Sequence, residues 1–208
     1  MAGRFIALEG GEGVGKSTQG RLLAEALRAR GLDVVTTREP GGTAGAEAIR
    51  AMLLSTEGEG WGARAEALLF AAARADHVEK LIRPAVARGA WVICDRFVDS
   101  SRAYQGGGSG LSDDDVMTLH RIGSGGVLPD VTVLLAVAPE IAARRLALRD
   151  GDAADRIGGR GADYHARVAA AFRGFAQAEP DRFALVDADG SPVDVHGRVM
   201  AAISRVLA

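Results

Sequence analysis

The sequence predicts an α/β fold with a five-stranded parallel sheet covered by helices on both faces. Three observations lead there. Five short apolar runs alternate with helical patterns along the chain, the rhythm of βαβ units. One of them, Val131 to Val137, is almost continuously apolar, as befits a central strand buried on both faces. The first, Phe5-Ile6-Ala7-Leu8, leads into Gly10-Gly11-Glu12-Gly13-Val14-Gly15-Lys16-Ser17, which fits G-x-x-x-x-G-K-[ST], and an amphipathic stretch with Leu22, Leu23, Ala26 and Leu27 follows. Strand, glycine loop and helix together make a phosphate-binding loop, so the expected architecture is a three-layer P-loop fold.

The elements follow in order. The first helix runs from about Gly15 to Arg30 and stops at Gly31, a natural residue past a helix end. Asp33 to Thr37 reads as a second strand, delivering Arg38 and Glu39 to its C-terminal edge, where open α/β sheets bind ligands. A short helix carries Ile49, Met52 and Leu53. From Ala63 to about Val86 the spacing of Ala65, Leu68, Leu69, Ala72, Ala75, Val78, Ile82 and Val86 predicts one long helix with that face buried, kinked near its end by Pro84. Phe70 and Arg74 share a different face, four residues apart.

Trp91 to Asp95 is the third strand, with Arg96 directly after it. Ser112 and Asp115 resemble a capping box for a helix to about Ile122. Pro139 opens a helix to about Arg149. Asp150 to Gly161 breaks all periodicity and is rich in Gly, Asp and Arg, which predicts a mobile loop. With Arg144, Arg145, Arg149, Arg156, Arg160 and Arg167 around it, it reads either as a solvated charged surface or as a lid near 150–161 that closes on phosphates. A helix over Ala162 to Ala178, a strand over Phe183 to Val186 and a helix after Ser191-Pro192 complete the pattern. There is no repeat, low-complexity segment or linker, so residues 1–208 are expected to form a single domain.

Composition excludes several classes. A net charge of −2 speaks against general nucleic-acid binding. No apolar run has the length of a membrane span, and Met1-Ala2-Gly3-Arg4 passes at once into a strand, leaving no room for a signal peptide. Cys94 is the one cysteine and lies in the apolar run Trp91-Val92-Ile93-Cys94, so it reads as a small buried hydrophobe. The four histidines have no metal-ligand spacing. A cytoplasmic protein is expected.

The loop's chemistry follows from its residue types. Gly10, Gly11, Gly13 and Gly15 let backbone N–H groups turn inward around a polyphosphate, with Glu12, Val14 and Thr18 completing the ATP-binding stretch. Lys16 reaches the β- and γ-phosphates and Ser17 holds Mg²⁺. Of 25 basic residues only Lys16 and Lys80 are lysine, and one stands where a phosphate needs a compact point charge. A guanine-recognition motif is missing. The apolar strand that ends in Asp95 continues with arginine rather than a second acid, which suits a second phosphate docking there. That favours a small kinase with an anionic acceptor.

Here the residues resemble a family. Phe5 to Gly10 into the loop, Thr37-Arg38-Glu39-Pro40-Gly41-Gly42-Thr43, Asp95-Arg96-Phe97, Ala103-Tyr104-Gln105-Gly106 and Asp155-Arg156-Ile157 are similar to the thymidylate kinases. The resemblance covers about residues 4 to 175. It implies transfer of the γ-phosphoryl group of ATP to dTMP by a Mg²⁺-dependent homodimer. Arg96 would bind the dTMP phosphate, with Arg38, Glu39 and Ser100 lining the site. Phe70 would stack on thymine and Arg74 would bond its O4. Tyr104 would crowd the sugar 2′ position, and Gln105 would approach base or sugar. Glu12 would face the acceptor, and Asp95 would act on the Mg²⁺ waters or in positioning. Some members carry an arginine in the loop where this chain has Gly13, so the sequence resembles the subgroup whose lid supplies the catalytic arginine, with Arg149 and Arg156 the closest matches. Gly158-Gly159 departs from the acidic residue common after Ile157. A kinase for another nucleoside monophosphate or small metabolite, or a nucleotide-binding regulator, is the alternative reading.

Overall fold

A computed structural model of the chain describes residues 2–149 and 155–207, the side chain of Arg149 excepted. In chain order the elements are β1 (Arg4–Glu9), α1 (Lys16–Arg28), β2 (Val34–Arg38), α2 (Ala44–Leu54), α3 (Ala63–His77), a π-helical turn (Val78–Ile82), α4 (Arg83–Ala87), β3 (Trp91–Asp95), α5 (Val98–Ser101), a second π-helical turn (Arg102–Gly108), α6 (Asp113–Ser124), β4 (Val131–Ala136), α7 (Pro139–Arg149), α8 (Ala162–Ala178), β5 (Phe183–Asp187), α9 (Pro192–Ala202) and α10 (Ser204–Leu207).

The five strands are ordered β2-β3-β1-β4-β5, and every pairing is parallel. Successive residues of β1 serve opposite faces. Ile6 and Leu8 pack with Leu23 and Leu27 of α1 and Val195 and Val199 of α9. Phe5 and Ala7 pack with Val78, Ile82, Ala85 and Phe97. Helices therefore cover both faces, as expected. The buried Cys94 belongs to the second layer, with its thiol pKa pushed well up by burial.

Chain order reverses across β3, β1 and β4. The crevice beyond their C-terminal ends is the place where such sheets bind ligands. Leu8 and Arg38 both stand in register with Asp95, so three strand ends converge there.

The long helix of residues 63–86 is the main correction. Its helical backbone runs on through the π-helical turn into α4, with Pro84 in the first turn of α4, but its first turns do not bury the expected stripe. Leu68 is 56% exposed, while Glu66, Ala67, Ala73, Arg74 and His77 are buried. The stripe holds at Val78 and Ile82. The physical reason is partnership. Arg74 and His77 face Glu39, and Glu66 faces Arg160, so the polar face turns inward, where each buried charge has a partner.

Candidate active site

The glycine loop joins β1 to α1 with φ of 134° at Gly10 and 72° at Gly13, a region that favours glycine. A Cβ on Gly10 would lie 2.4 Å from the Leu135 carbonyl oxygen, and one on Gly13 2.6 Å from that of Ala142. Gly15 precedes α1 with no side-chain cap, which leaves first-turn N–H groups for an anion. Lys16 is buried, and its Nζ donates to the carbonyls of Gly10 at 3.2 Å and Gly11 at 2.6 Å. Burial, with Arg96 nearby, pulls its pKa down to about 8.

Ser17 Oγ donates to Asp95 Oδ2 at 3.0 Å. Two hard oxygen donors beside Lys16 fit Mg²⁺, which takes one or two protein oxygens together with water and phosphate. Among the described residues no cluster of three or more His, Cys, Asp or Glu forms a fuller cage.

Arg96 is the one described non-glycine residue with positive φ, 70°. Its guanidinium donates to Gly10 O at 3.1 Å, Ser100 Oγ at 3.2 Å and Glu12 Oε1 at 2.6 Å, and lies 5.0 Å from the centre of the Tyr104 ring. Glu9 holds this turn. Fully buried, it accepts from Phe97 N at 2.7 Å, Ser100 N at 3.0 Å and Ser100 Oγ at 2.6 Å. Burial, with Asp99 adding, raises its pKa to about 7. Glu9 escaped the sequence reading of the site. The signal was there: an acid ends β1 directly before the loop, at a position the sheet buries.

Beyond Arg96 opens a cavity of about 350 Å³. It gathers Glu12, Arg38, Glu39, Phe70, Ser100, Tyr104 and Gln105, with Ser17, Asp95 and Arg96 at its phosphate end. Arg50, Leu54, Asp155 and Ile157, which were not foreseen as site residues, also line it, as do Pro40 and Ser101. Arg74 is not in that lining. It is buried, with Nε donating to Glu39 Oε2 at 2.7 Å and Nη2 to Ser101 Oγ at 2.9 Å. Arg38 pairs with Glu47 at 3.2 Å on the open side.

Of the lid arginines, Arg156 and Arg160 are described, and their contacts lie away from the loop. The Arg149 side chain and residues 150–154 lie outside the described residues. Arg156, expected at the phosphates, instead donates to the carbonyls of Ser55 at 2.5 Å, Glu57 at 2.6 Å and Gly58 at 3.1 Å. These carbonyls follow the end of α2, where unpaired oxygens and the helix dipole attract a cation. Arg145 of α7, a member of the Arg-rich neighbourhood of residues 144–167 but given no role of its own, lines a depression with Gly13, Gly15, Lys16 and Thr18 and donates to Ala188 O at 3.0 Å.

A family model described as Thymidylate kinase matches residues 8–199. A protein of Rhizorhabdus wittichii called thymidylate kinase is 58% identical over 207 residues, covering 100% of both chains. One of Rhodopseudomonas palustris strain TIE-1 is 50% identical over 205 residues, 98% of this chain and 89% of that one. The crystal structure of thymidylate kinase from Ehrlichia chaffeensis superposes with a TM-score of 0.77 at 32% identity, covering all of each chain. Loop, Asp95-Arg96 turn and acceptor cavity thus stand in a chain that belongs to the thymidylate kinase family.

Proposed function

We propose that the enzyme transfers the γ-phosphoryl group of ATP to a phosphate oxygen of dTMP, giving ADP and dTDP for thymidine nucleotide synthesis. The observation that carries this is the position of Arg96. One guanidinium touches the glycine loop through Gly10 and Glu12 and the second cavity through Ser100 and Tyr104. An anionic acceptor held there lies beside the polyphosphate.

The transfer is in line: the bond from phosphorus to the ADP oxygen breaks as the bond to the dTMP oxygen forms. The acceptor phosphate is ionised at neutral pH, so no general base is required. Positioning and charge neutralisation do the catalysis. Lys16 and the loop N–H groups hold the ATP phosphates, with Gly10, Gly11, Glu12, Gly13, Val14, Gly15, Ser17 and Thr18 forming their cradle. Arg96, steadied by Glu12, holds the dTMP phosphate. Ser17 and Asp95 would hold Mg²⁺, directly or through water, and the bound ion would supply positive charge against the ATP phosphates.

Arg38, Glu39 and Ser100 line the acceptor phosphate and sugar. Phe70 stacks on the base, Tyr104 crowds the 2′ position and Gln105 reads polar atoms of the ring, whereas Arg74 reaches O4 only by leaving Glu39 and Ser101 behind the cavity wall. Arg149 and Arg156 neutralise charge in the transition state once the lid closes, which for Arg156 means leaving the carbonyls of residues 55–58. Residues 1–208 act as one domain in the cytoplasm. We further place a homodimer interface on the outer face of α3 and on α6. Leu68 and Ile122 are 56% and 79% exposed there, and Gly123 of α6 lies against Ala71 and Ala75 of α3.

A coupled ADP-release assay against dTMP, dUMP, UMP, CMP and shikimate tests the reading. dTMP is expected to give the highest kcat/KM. Turnover of another acceptor in preference to dTMP would overturn the substrate, and no ADP release with any of them would overturn the reaction.

A further inference from the structure

Gln105 lines the acceptor cavity, yet its amide is held from behind. Its Nε2 donates to Glu66 Oε1 at 2.9 Å. Glu66 is 1% exposed, and its other oxygen, Oε2, takes Arg160 Nη2 at 2.5 Å. Arg160 also donates to the Tyr164 hydroxyl at 2.6 Å, and that hydroxyl donates to the main-chain oxygen of Tyr104 at 3.0 Å. Side chain and neighbouring backbone of Gln105 are therefore fixed by one network. A carboxylate paired with an arginine only accepts hydrogen bonds. The Gln105 atom beside it must be the amide nitrogen. The amide oxygen, without a partner among the described residues, is left to the occupant of the cavity.

We propose that Glu66 is a specificity-determining positioning residue: by fixing the Gln105 amide it makes the base pocket accept a hydrogen bond from a ring N3–H. This rests on reading the cavity as the dTMP site. Thymine and uracil present N3–H. Cytosine presents a lone pair at N3. An unrestrained glutamine turns its amide over, almost without change of shape, and donates to cytosine. Here the turned amide would set its oxygen against the Glu66 carboxylate in a buried place, which costs a hydrogen bond and adds repulsion. Stacking on Phe70 cannot make the distinction, because every pyrimidine offers a ring face. The device also ignores the 5-methyl group, so it treats dTMP and dUMP alike.

The test is steady-state kinetics with dTMP, dUMP and dCMP on wild type, Glu66→Gln, Gln105→Met and the double variant, each checked for thermal melting. An amide at position 66 presents either a donor or an acceptor and frees Gln105 to turn. Glu66→Gln is expected to lower the dTMP:dCMP ratio of kcat/KM about tenfold or more. The dTMP:dUMP ratio should stay within about twofold, because the device does not see the methyl. Gln105→Met should lower the dTMP:dCMP ratio as well, and the double variant no further than Gln105→Met alone.

An unchanged dTMP:dCMP ratio in folded Glu66→Gln overturns the inference. So do effects that multiply in the double variant, or a wild type that accepts dCMP as readily as dTMP. Should Glu66→Gln not fold, Glu66→Gln with Arg160→Met removes the ion pair as a unit and carries the same comparison. A wild type that phosphorylates none of the three would instead overturn the substrate reading beneath it.

Discussion

Lys16 is a buried cation whose desolvation outweighs the attraction of Asp95, Glu12 and Glu9. Its pKa falls from 10.5 to about 8, chiefly through burial. A lysine with a lowered folded pKa contributes stability only above its unfolded pKa, and that contribution is lost as pH falls through 8. At pH 7 the charge costs the free protein on the order of 3 kcal/mol. Lys16→Met should therefore melt higher than wild type at pH 7, by a margin that shrinks toward pH 10, while losing nearly all turnover. A lower melting temperature across that range would refute this account of Lys16. Glu9 has the opposite sign pattern. Its folded pKa is raised from 4.5 to about 7 by burial and Asp99, so its contribution is complete below pH 4.5 and lost as pH rises to 7. Glu9→Gln, which cannot ionise, should flatten the fall of melting temperature between pH 4.5 and 7. A wild-type slope in the variant would show that another group titrates.

At the scale of elements, the stretch from Arg149 to Arg160 is proposed to supply the lid chemistry. A Cβ at Gly13 would stand 2.6 Å from Ala142 O and 3.1 Å from Leu146 Cγ, so α7 closes the place where some relatives carry a loop arginine. The charge must then come from elsewhere, and we propose that the arginines from Arg149 to Arg160 supply it. Arg149→Ala or Arg156→Ala should lower kcat far more than it raises either KM. An arginine supplied to a phosphoryl transfer is worth roughly 10³–10⁵ in rate. Lysine should restore little, since an ammonium lacks the two-pronged contact. Arg156→Ala should in addition loosen residues 55–58, readable as faster amide hydrogen exchange there, because Arg156 holds three of their carbonyls. If kcat stayed within a few-fold in all single and double variants, Arg38 or Arg96 would have to supply the charge.

For the whole molecule, the outer face of α3 predicts assembly. Leu68→Glu with Ile122→Arg should yield a monomer by sedimentation and remove the dependence of melting temperature on protein concentration. A wild type that is already monomeric at all concentrations would refute the interface. The same helix marks where the sequence stops being informative. The loop from Gly10 to Ser17, the five strands, the Ser112 cap of α6, the Pro139 start of α7 and the start of α9 after Ser191-Pro192 were legible, because each depends on contacts within a few residues: turn chemistry, capping and strand periodicity. Phe70, Tyr104 and Gln105 were legible through resemblance. Glu66, Glu9 and Arg145 were not. Each acts through a partner far along the chain — Gln105 and Arg160, Ser100, Ala188. The apolar spacing of residues 65–72 suggested a buried stripe because periodicity reports an amphipathic helix but not which face the fold covers. Only tertiary structure decided that Glu66 and Arg74 turn inward, because a buried charge is tolerable only where another segment brings its counter-charge.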